Sequence, residues 1–503
     1  MNEHASAAEG IMNRVRLEYR PAPGIYDEVL DTDGTLRPRW ATQIDQFLNF
    51  QSDSRGDDAG PAHFDPFPYI FDTGEWRAIE QGLLQRSRLL NALVADFYGP
   101  QALLRRHGLP AALLFANPRY LPQCRGYQPR GGVFLNQVAF DLGRPPDGQW
   151  RVLANRSDTP SGLGYALRNR LETDRALPGA LDRAGVVPLS GFFDEFANRL
   201  EVRDSAPEDG VCIILSGGPH HANHSDHAFL GRQLGIAVAE GHDLRVRQDG
   251  AHLATQAGLK PLRTIVRQIE SASCDPLELS TDALGGTPGL LACAAGGRLG
   301  VENAIGTGVT ESAALSGFLP GLCRTLFDEP LMLPDLATWW CGQAREAGHV
   351  AANLESLVLN RAFERDSSGG GDVAAGLLPE SITLDAGVFR EELKLRPYHY
   401  VAREPMLLST MPHRERGGRL RPAPLSLRLF VAASPSGYRV MPGGLARVAT
   451  RSGIVLKDVW AIDSQGSAEP GRDSGTGATR RDASATGFET RQETAPATGG
   501  DRR

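Results

Sequence analysis

Segments with the periodicity of a helix alternate with segments that have the periodicity of a strand, and this alternation constrains the fold most. The clearest helix covers Glu75 to Tyr98, where large apolar residues recur every three or four positions until Gly99-Pro100 ends the pattern. Residues 132–142 and 149–153 predict two strands that pair across a Pro-Pro-Asp-Gly turn. Further strands are predicted at 211–215, 244–247 and 262–269, and within 425–462. The chain is therefore predicted to have an α+β (α/β) fold.

The C-terminal segment, residues 464–503, differs in composition from the rest of the chain. It consists almost entirely of small, polar and charged residues. Ordering each residue costs about 1–2 kcal/mol of backbone entropy, and burial of this segment cannot offset that cost. We therefore predict a disordered tail, with the folded part ending near Asp463.

Overall composition excludes several classes of protein. The net charge of −7 argues against nucleic acid or an anionic membrane as the main partner. The first twenty residues lack the apolar stretch of a signal peptide, and no apolar run is long enough to span a membrane. The six cysteines are far apart and include no CxxC pair, which is typical of reduced thiols. These features predict a cytoplasmic protein.

The segment Leu357–Gly371, LVLNRAFERDSSGGG, has the composition of an anion-binding loop. An apolar strand ends at Asn360, and the loop that follows closes on Ser367, Ser368, Gly369, Gly370 and Gly371. Glycine lets backbone N–H groups approach an anion closely. Phosphate sites usually add a lysine, but the strand here ends in asparagine. From the residues alone, this segment is either a binding site without its cation or an ordinary surface loop.

The histidine-rich stretch HHANHSDH is a second candidate site. It contains His220, His221, His224 and His227 together with Asp226. Their spacing is compatible with a metal site on one face of a helix, but the preceding Gly-Gly-Pro indicates a loop. We predict a polar loop and helix start, with Ser225 or Asp226 as the N-cap, and no metal.

Two glycine turns remain, and neither is specific by itself. Gly306-Thr307-Gly308 is interpreted as a tight turn between a strand and a helix, because a third glycine is missing. Pro160-Ser161-Gly162 is interpreted as a turn with an N-cap serine. No GxSxG or HExxH motif occurs, so these patterns predict no catalytic dyad.

Taken together, eight collinear blocks resemble the circularly permuted ATP-grasp type 2 family over roughly Gly24 to Ser464. The blocks are YDEVLDTDGTLRPRW (26–40), ADFYGPQALL (95–104), CRGYQPRGGVFLNQVAFDL (124–142), PSGLGYALRNR (160–170), HAFLGRQLG (227–235), CDPLELSTDALGGTPGLL (274–291), TWWCG (338–342) and VMPGGLARVA (440–449). Residues 311–323 and 336–342 look closest to a branch that is often fused to, or encoded beside, an alpha-E domain.

The resemblance implies an ATP-grasp fold in circularly permuted order. Such enzymes hold Mg-ATP between two α+β lobes and typically phosphorylate a carboxylate, which an amine or thiol then attacks. For this chain it implies one region, residues 24–463, in three parts. These parts are 24–200 with the former metal-ligand element, 210–330 as a central α/β part, and 331–463 with the glycine loop and adenine hinge.

The resemblance also implies roles for individual residues. Asn360 falls where active members carry the phosphate-contacting lysine, and Ser367–Gly371 falls on the flexible loop over the phosphates. The other implied nucleotide-binding positions are Ser161 and Gly162, the adenine hinge Arg403-Glu404, and the phosphate-contact candidates Arg428 and Arg267.

The metal position departs from the family pattern. The stretch that supplies metal ligands reads Ala154-Asn155-Arg156 here. Alanine cannot ligate Mg²⁺, which requires hard oxygen ligands, and Arg156 would put a cation where the metal belongs. The sequence therefore predicts weak ATP binding, no metal site and little or no Mg²⁺ binding.

Three functions follow as hypotheses. The first is a weak or non-catalytic nucleotide binder that acts with a partner, such as an alpha-E domain or transglutaminase-like protein. The second is an active ATP-dependent carboxylate–amine ligase for a peptide or amino acid, with Glu270, Asp275 or Glu311 as substitute metal ligands. The third is a scaffold that binds no nucleotide.

Overall fold

The computed structural model describes most of the chain between residues 19 and 462. The described ranges are 19–41, 43–44, 63–106, 108–201, 209–281, 285–363, 376–378, 381–382, 386–415 and 419–462. The predicted glycine loop Ser367–Gly371 and the predicted tail 464–503 lie outside these ranges. All of the described residues belong to one compact unit, Met1–Ser464.

Helices and strands alternate through the described residues, as the sequence pattern predicts. The strands are β1 His63–Phe64, β2 Tyr69–Phe71, β3 Gln137–Gly143, β4 Arg151–Arg156, β5 Val211–Ser216, β6 Ala237–Ala239, β7 Leu244–Arg247, β8 Gly250–Thr255, β9 Gly258–Gln268, β10 Gly300–Glu302, β11 Thr338–Trp340, β12 Val358–Arg361, β13 Tyr400–Arg403, β14 Thr410–Arg414, β15 Leu420–Ser434, β16 Gly437–Thr450 and β17 Gly453–Ala461. The helices are α1 Thr73–Tyr98, α2 Ala102–Arg106, α3 Ala111–Phe115, α4 Leu163–Ala176, α5 Ala180–Ala184, α6 Ser190–Leu200, α7 His224–Leu234, α8 Leu290–Ala295, α9 Ala313–Ser316, α10 Leu319–Phe327, α11 Ala344–Ala352 and α12 Ala386–Leu395.

The largest sheet has eight strands and joins distant parts of the chain. Its order is β1-β17-β16-β15-β3-β4, with β14 added beside β15 and β2 beside β17. Strands β3 and β15 pair antiparallel, and so do β3 and β4. The sheet therefore combines strands from the predicted parts 24–200 and 331–463.

The two faces of this sheet bury different sets of side chains because strand residues alternate in direction. One face carries Leu427, Leu429 and Val431 into a large apolar core, against which α1 packs. The opposite face carries Phe430 and Ala432 into a second core that includes residues of α4 and α6. Charged side chains at the edge of this second core form the candidate site.

A six-stranded sheet lies beyond the second core. Its order is β6-β5-β9-β8-β7, with β10 beside β9. Strands β5, β6, β9 and β10 run parallel, and α7 connects β5 to β6. Helix α7 also packs against α4, so the two larger sheets are linked through this pair of helices.

A three-stranded antiparallel sheet, in the order β11-β13-β12, completes the described architecture. It brings Asn360 on β12 into the same small sheet as Arg403 on β13. Within the described residues, no helix is both long enough and apolar enough to cross a membrane.

Two local predictions about helix starts were wrong. Helix α7 begins at His224, and its N-cap is Asn223 rather than Ser225 or Asp226. The N-cap of α4 is Gly162, and the hydroxyl of Ser161 donates to the carbonyl of Thr159 instead of capping the helix. The reason is a tertiary contact, because Asp226 supplies the cap of α4 from a neighbouring helix.

The contact between α4 and α7 requires a glycine at position 164. A Cβ atom there would lie 2.4 Å from the backbone oxygen of Asp226. We predict that Gly164→Ala lowers the free energy of unfolding by about 1–3 kcal/mol, because the two helices must move apart. Chemical denaturation of both proteins measures this difference.

Gly348→Ala is the matched control for this prediction. Gly348 also lies in a helix, α11, but a Cβ atom there has no neighbour within 4 Å. Helix propensity then favours alanine by up to about 1 kcal/mol. Equal effects at both positions would contradict the proposed close packing of α4 on α7.

Candidate functional site

Asp141 lies at the centre of the candidate site. It is on β3, opposite Arg428 on β15 and opposite Ala154 on β4. Directly opposed residues project from the same face of a sheet, so these three positions share one surface. Arg156 follows Ala154 by two residues and therefore projects from that face too.

Three arginines surround the carboxylate of Asp141. Arg428 donates from Nε to Oδ1 at 2.7 Å and from Nη2 to Oδ2 at 3.0 Å. Arg156 donates from Nε to Oδ2 at 3.1 Å. Nη1 of Arg447, on β16, lies 3.8 Å from Oδ2. The bidentate pair with Arg428 is the strongest geometry available to a guanidinium and a carboxylate.

The arginine cluster, defined as Asp141, Arg156, Arg428 and Arg447, is largely buried. The side chains of Arg428, Arg447 and Asp141 are 0%, 1% and 3% exposed, and that of Arg156 is 23% exposed. Burial alone would raise the pKa of Asp141, but the charges of Arg428, Arg156 and Arg447 outweigh it and hold that pKa well below its usual range. Three guanidinium groups thus face the carboxylate of Asp141.

The start of helix α4 is connected to the arginine cluster through a single peptide group. The carbonyl oxygen of Ser161 accepts a hydrogen bond from Nη1 of Arg428 at 3.2 Å. The N–H of the same peptide group, at Gly162, donates to Oδ2 of Asp226 at 2.7 Å. Asp226 also accepts from the N–H of Tyr165 at 2.7 Å. The predicted binding residues Ser161 and Gly162 therefore lie beside Arg428.

Asp226 is a buried carboxylate with an altered affinity for protons. Burial raises its pKa to about 6, although the N–H groups of Gly162, Tyr165 and Gly164 and the charge of Arg428 act in the opposite direction. Near neutral pH it is an anion, and at mildly acidic pH it binds a proton. It is a second acidic group close to the arginine cluster.

The residues at this position do not fit a magnesium ion. Ala154 has no donor atom, and Arg156 places a cation beside Asp141. Both oxygens of Asp141 accept hydrogen bonds from guanidinium groups. Mg²⁺ requires several oxygen ligands in octahedral geometry, and these side chains do not supply them.

The residues that follow the predicted glycine loop contact the arginine cluster. Arg447 donates from Nη2 to the carbonyl oxygen of Gly376 at 3.2 Å. The next residue, Leu377, packs in a small apolar group with Leu153 and Leu408. The loop Ser367–Gly371 itself is outside the described residues, so its role as the loop over the phosphates stays a prediction.

Arg267 lies in a separate buried ion pair. Its Nη2 donates to Oδ1 of Asp158 at 2.8 Å, and its other donors bond to the backbone oxygens of Ile269 and Asn303. Its side chain is fully buried. Burial would raise the pKa of Asp158, but Arg267 and Arg119 lower it below the usual value. A ligand contact by Arg267 would require these hydrogen bonds to rearrange.

The proposed substitute metal ligands lie in different surroundings. Glu311 accepts from the N–H groups of Ser157 and Asp158 at 2.6 and 2.7 Å. Asp275 accepts from backbone N–H groups, including that of Leu291 at 3.2 Å. Glu270 lines a water-sized pocket with Asp158. Within the described ranges, no three His, Cys, Asp or Glu side chains are arranged to hold a metal ion.

Asn360 and Arg403 are both buried in the three-stranded sheet. Asn360 pairs with Val401, and Arg403 pairs with Val358 at the end that leads to Glu404. Arg361 is exposed, and its guanidinium lies 5.9 Å from the ring centre of Tyr400.

Asn155 connects strand β4 to the segment that precedes β11. Its Oδ1 accepts from Nε of Arg86 at 2.8 Å, and Arg86 also pairs with Asp335 at 2.5 Å. The N–H of Val152 donates to the carbonyl of Pro334 at 2.9 Å. The segment leading to the small sheet is thereby fastened to the strand that carries Ala154 and Arg156.

The histidines form a group at the carboxyl end of β5. Nδ1 of His227 lies 3.0 Å from the hydroxyl of Ser216, and the rings of His221 and His227 are 5.2 Å apart. Burial, together with His221 and His224, lowers the pKa of His227 to about 3. His227 is therefore neutral at physiological pH. The prediction that these histidines bind no metal remains a prediction.

Sequence reasoning missed Asp141, Arg447 and Asp226 as members of this site. Asp141 and Arg447 each interrupt an otherwise apolar strand pattern, in QVAFDLG and GLARVA. A charged residue in a buried strand must find a partner, and that rule could have identified both. Nothing in the sequence pattern indicates that Asp226 caps a different helix.

The chain is similar to a known protein family over most of its length. A family model described as "Circularly permuted ATP-grasp type 2" matches residues 68–449. This range includes the four residues of the arginine cluster and the start of α4. It also includes Asn360, Arg403 and Glu404.

Relatives of similar sequence occur in mycobacteria and cyanobacteria. An uncharacterized protein of Mycobacterium tuberculosis is 31% identical over 486 residues, covering 88% of this chain and 54% of the relative. A second uncharacterized protein of that organism is 29% identical, covering 89% and 82%. An uncharacterized protein of Synechocystis is 28% identical, covering 89% and 98%. The chain thus spans about half the length of the first of these relatives.

The arginine cluster generates a prediction about stability. Asp141→Asn removes the carboxylate that pairs with the buried guanidinium groups of Arg428 and Arg447, and it should lower the free energy of unfolding by about 3–5 kcal/mol. Asp147→Asn is the control, because Asp147 pairs with Arg151 at 2.9 Å but is half exposed. Its effect should stay below about 1 kcal/mol. Chemical denaturation of the three proteins measures both values.

The same variant should change the response to acid. The lowered pKa of Asp141 means that its stabilisation is complete above the ordinary aspartate value of about 4 and is lost as the pH falls further. Asp141→Asn should therefore lose less stability than the wild type between neutral and strongly acidic pH. A similar acid sensitivity in both proteins would contradict the ion pairing of Asp141.

Proposed function

The chain belongs to the circularly permuted ATP-grasp type 2 family, and from this premise we propose that it binds ATP without magnesium and does not transfer phosphate. It is a ligase-like ATP-grasp protein by family. More specifically, we propose that it is a pseudoenzyme that responds to a bound nucleotide. It acts through the state of its bound nucleotide rather than through a ligation reaction.

The ion pair between Arg156 and Asp141 carries this proposal. Phosphoryl transfer depends on positioning and on neutralising the charge that develops on the phosphate oxygens, and metal ions supply much of that neutralisation. Ala154 and Arg156 remove the ligands, and Asp141 is engaged by guanidinium groups at 2.7 to 3.1 Å. Metal-assisted transfer therefore lacks its ligands at this position.

The guanidinium groups of the arginine cluster support binding of a polyphosphate. Arg156, Arg428 and Arg447 come together around Asp141, and Arg156 is the most exposed of them. Guanidinium groups match phosphate oxygens in charge and geometry, so a phosphate group beside Arg156 would meet a suitable donor. We extend the proposal to Asn360, Arg403 and Glu404 as nucleotide contacts and to Ser367–Gly371 as the loop over the phosphates.

A partner protein is part of the same proposal. The family resemblance points to an alpha-E domain or transglutaminase-like protein. The length of the first mycobacterial relative, of which this chain spans about half, supports the idea that related chains work with additional sequence. The described cysteines are free thiols, which fits the reducing cytoplasm that we propose as its location.

Calorimetric titration with ATP, with and without Mg²⁺, tests the proposal. The wild type should bind ATP with the same dissociation constant in both conditions and should release no ADP above background. Release of ADP with a carboxylate and an amine substrate would contradict the proposal and support an active ligase. Absence of any binding would support the scaffold hypothesis instead.

A double variant should restore dependence on magnesium. Ala154→Glu with Arg156→Asn places a carboxylate opposite Asp141 and removes one of its ion pairs. ATP should then bind at least about tenfold more tightly with Mg²⁺ than without it, the scale of one charge-assisted contact. Arg151→Asn, on the same strand but away from Asp141, is the control and should keep the wild-type behaviour. Magnesium dependence already present in the wild type would contradict the interpretation of Arg156.

A further inference from the structure

A groove lies between helices α4 and α7 and ends beside strand β6. Its volume is about 910 Å³, which is within the range of known ligand sites. Helix α4 contributes Arg168 and Glu172, and α7 contributes residues from His224 at its start to Arg232 in its last turn. No residue of the arginine cluster lines this groove, so it is a separate surface.

The charged residues of the groove favour an anionic partner. Among the described residues, neither Arg168 nor Arg232 forms an ion pair with a carboxylate. The acidic residue of the lining, Glu172, already pairs with Arg175 at 2.9 Å. Nδ1 of His224 is buried and has no hydrogen-bond partner in the part of the chain that the structure describes. A chain with a net charge of −7 thus presents a locally basic groove.

The same groove also has an apolar floor. Ala228, Phe229, Ile236 and Val238 line it, and all four are partly exposed. The guanidinium of Arg232 lies 5.6 Å from the ring centre of Phe229, so charge and apolar surface adjoin. A partner that carries both carboxylates and apolar side chains would use both features, whereas a small inorganic anion would leave the floor uncovered.

The length and position of the groove fit an extended peptide segment. From His224 to Arg232 an α-helix rises by about 12 Å, the length of roughly four extended residues. Strand β6 is the terminal strand of the six-stranded sheet, and within the described residues it pairs with β5 alone. An open edge of this kind accepts main-chain hydrogen bonds from an added extended segment.

We propose that the groove between α4 and α7 binds an acidic, extended segment of a partner protein. Carboxylates of the segment pair with Arg168 and Arg232, and its apolar side chains cover the floor around Phe229. The inference rests on the partner component of the function proposed above, but not on nucleotide binding.

A fluorescently labelled hexapeptide of alternating glutamate and leucine residues is the probe. In an extended conformation its carboxylates and its apolar side chains face opposite sides. The control peptide has glutamine in place of glutamate. Fluorescence anisotropy should show that the wild type binds the glutamate peptide at least about tenfold more tightly, because two charge-assisted contacts are present. This preference should decrease as the salt concentration rises.

Variants of the groove separate local contacts from overall charge. Arg168→Gln with Arg232→Gln should weaken binding of the glutamate peptide at least about fivefold. Arg247→Gln with Arg324→Gln removes the same charge from exposed positions outside the groove and should bind like the wild type. Ala228→Trp fills the floor without changing the charge, and it should also weaken binding at least about fivefold.

Equal affinity of the wild type for the two peptides, or an equal loss in the two double variants, would overturn this inference. Analytical ultracentrifugation tests a second copy of the chain as the occupant. A wild-type dimer that Arg168→Gln with Arg232→Gln converts to a monomer would identify that copy and would overturn the inference as well. ATP titration of the same proteins separates the two proposals. Unchanged ATP affinity in this groove variant supports a separate peptide surface, whereas failure of the wild type to bind ATP would contradict only the nucleotide proposal.

Discussion

The carboxylate of Asp141 pairs with buried arginines on two other strands of the large sheet. Arg428 and Arg447 project from central strands into a buried layer, where uncompensated charges are costly. Asp141 supplies the anion for both, and the Asp141–Arg428 pair joins residues that are 287 apart in the chain. The contact therefore adds a side-chain link between strands that come from opposite ends of the described region.

The charged side chains at this site belong both to the core of the fold and to the proposed binding site. The three guanidinium groups around Asp141 hold its pKa well below the usual range, so this carboxylate stays ionised. Burial raises the pKa of the neighbouring Asp226 to about 6. The start of α4 therefore lies between two carboxylates of different proton affinity, bonded to Asp226 directly and to Asp141 through Arg428.

The sequence predicted the local elements well because periodicity reports which face of an element is buried. Residues Glu75–Tyr98 were predicted as a helix that the structure extends to Thr73, and the hairpin of β3 and β4 lies where the turn indicated. The predicted N-caps at Ser161 and Asp226 were wrong, because the side chain of Asp226 in α7 caps α4 instead. No local sequence pattern indicates such a contact between two helices. The full site could not be predicted for the same reason, because Asp141, Arg428 and Arg447 meet only through strand pairing. The family resemblance identified Arg428 and Arg156, but it did not identify the carboxylate between them.

If the proposed pseudoenzyme arose by loss of a metal ligand, Arg156 makes that loss difficult to reverse in one step. With alanine at position 154, a metal ion at Asp141 would have too few oxygen ligands. A guanidinium at position 156 reaches Asp141 at 3.1 Å and lies where a metal ion bound to this carboxylate would need room. Restoring a carboxylate at position 154 alone would then place it beside an ion pair that is already formed. The arginine must leave before a metal can enter, so the two positions have to change together.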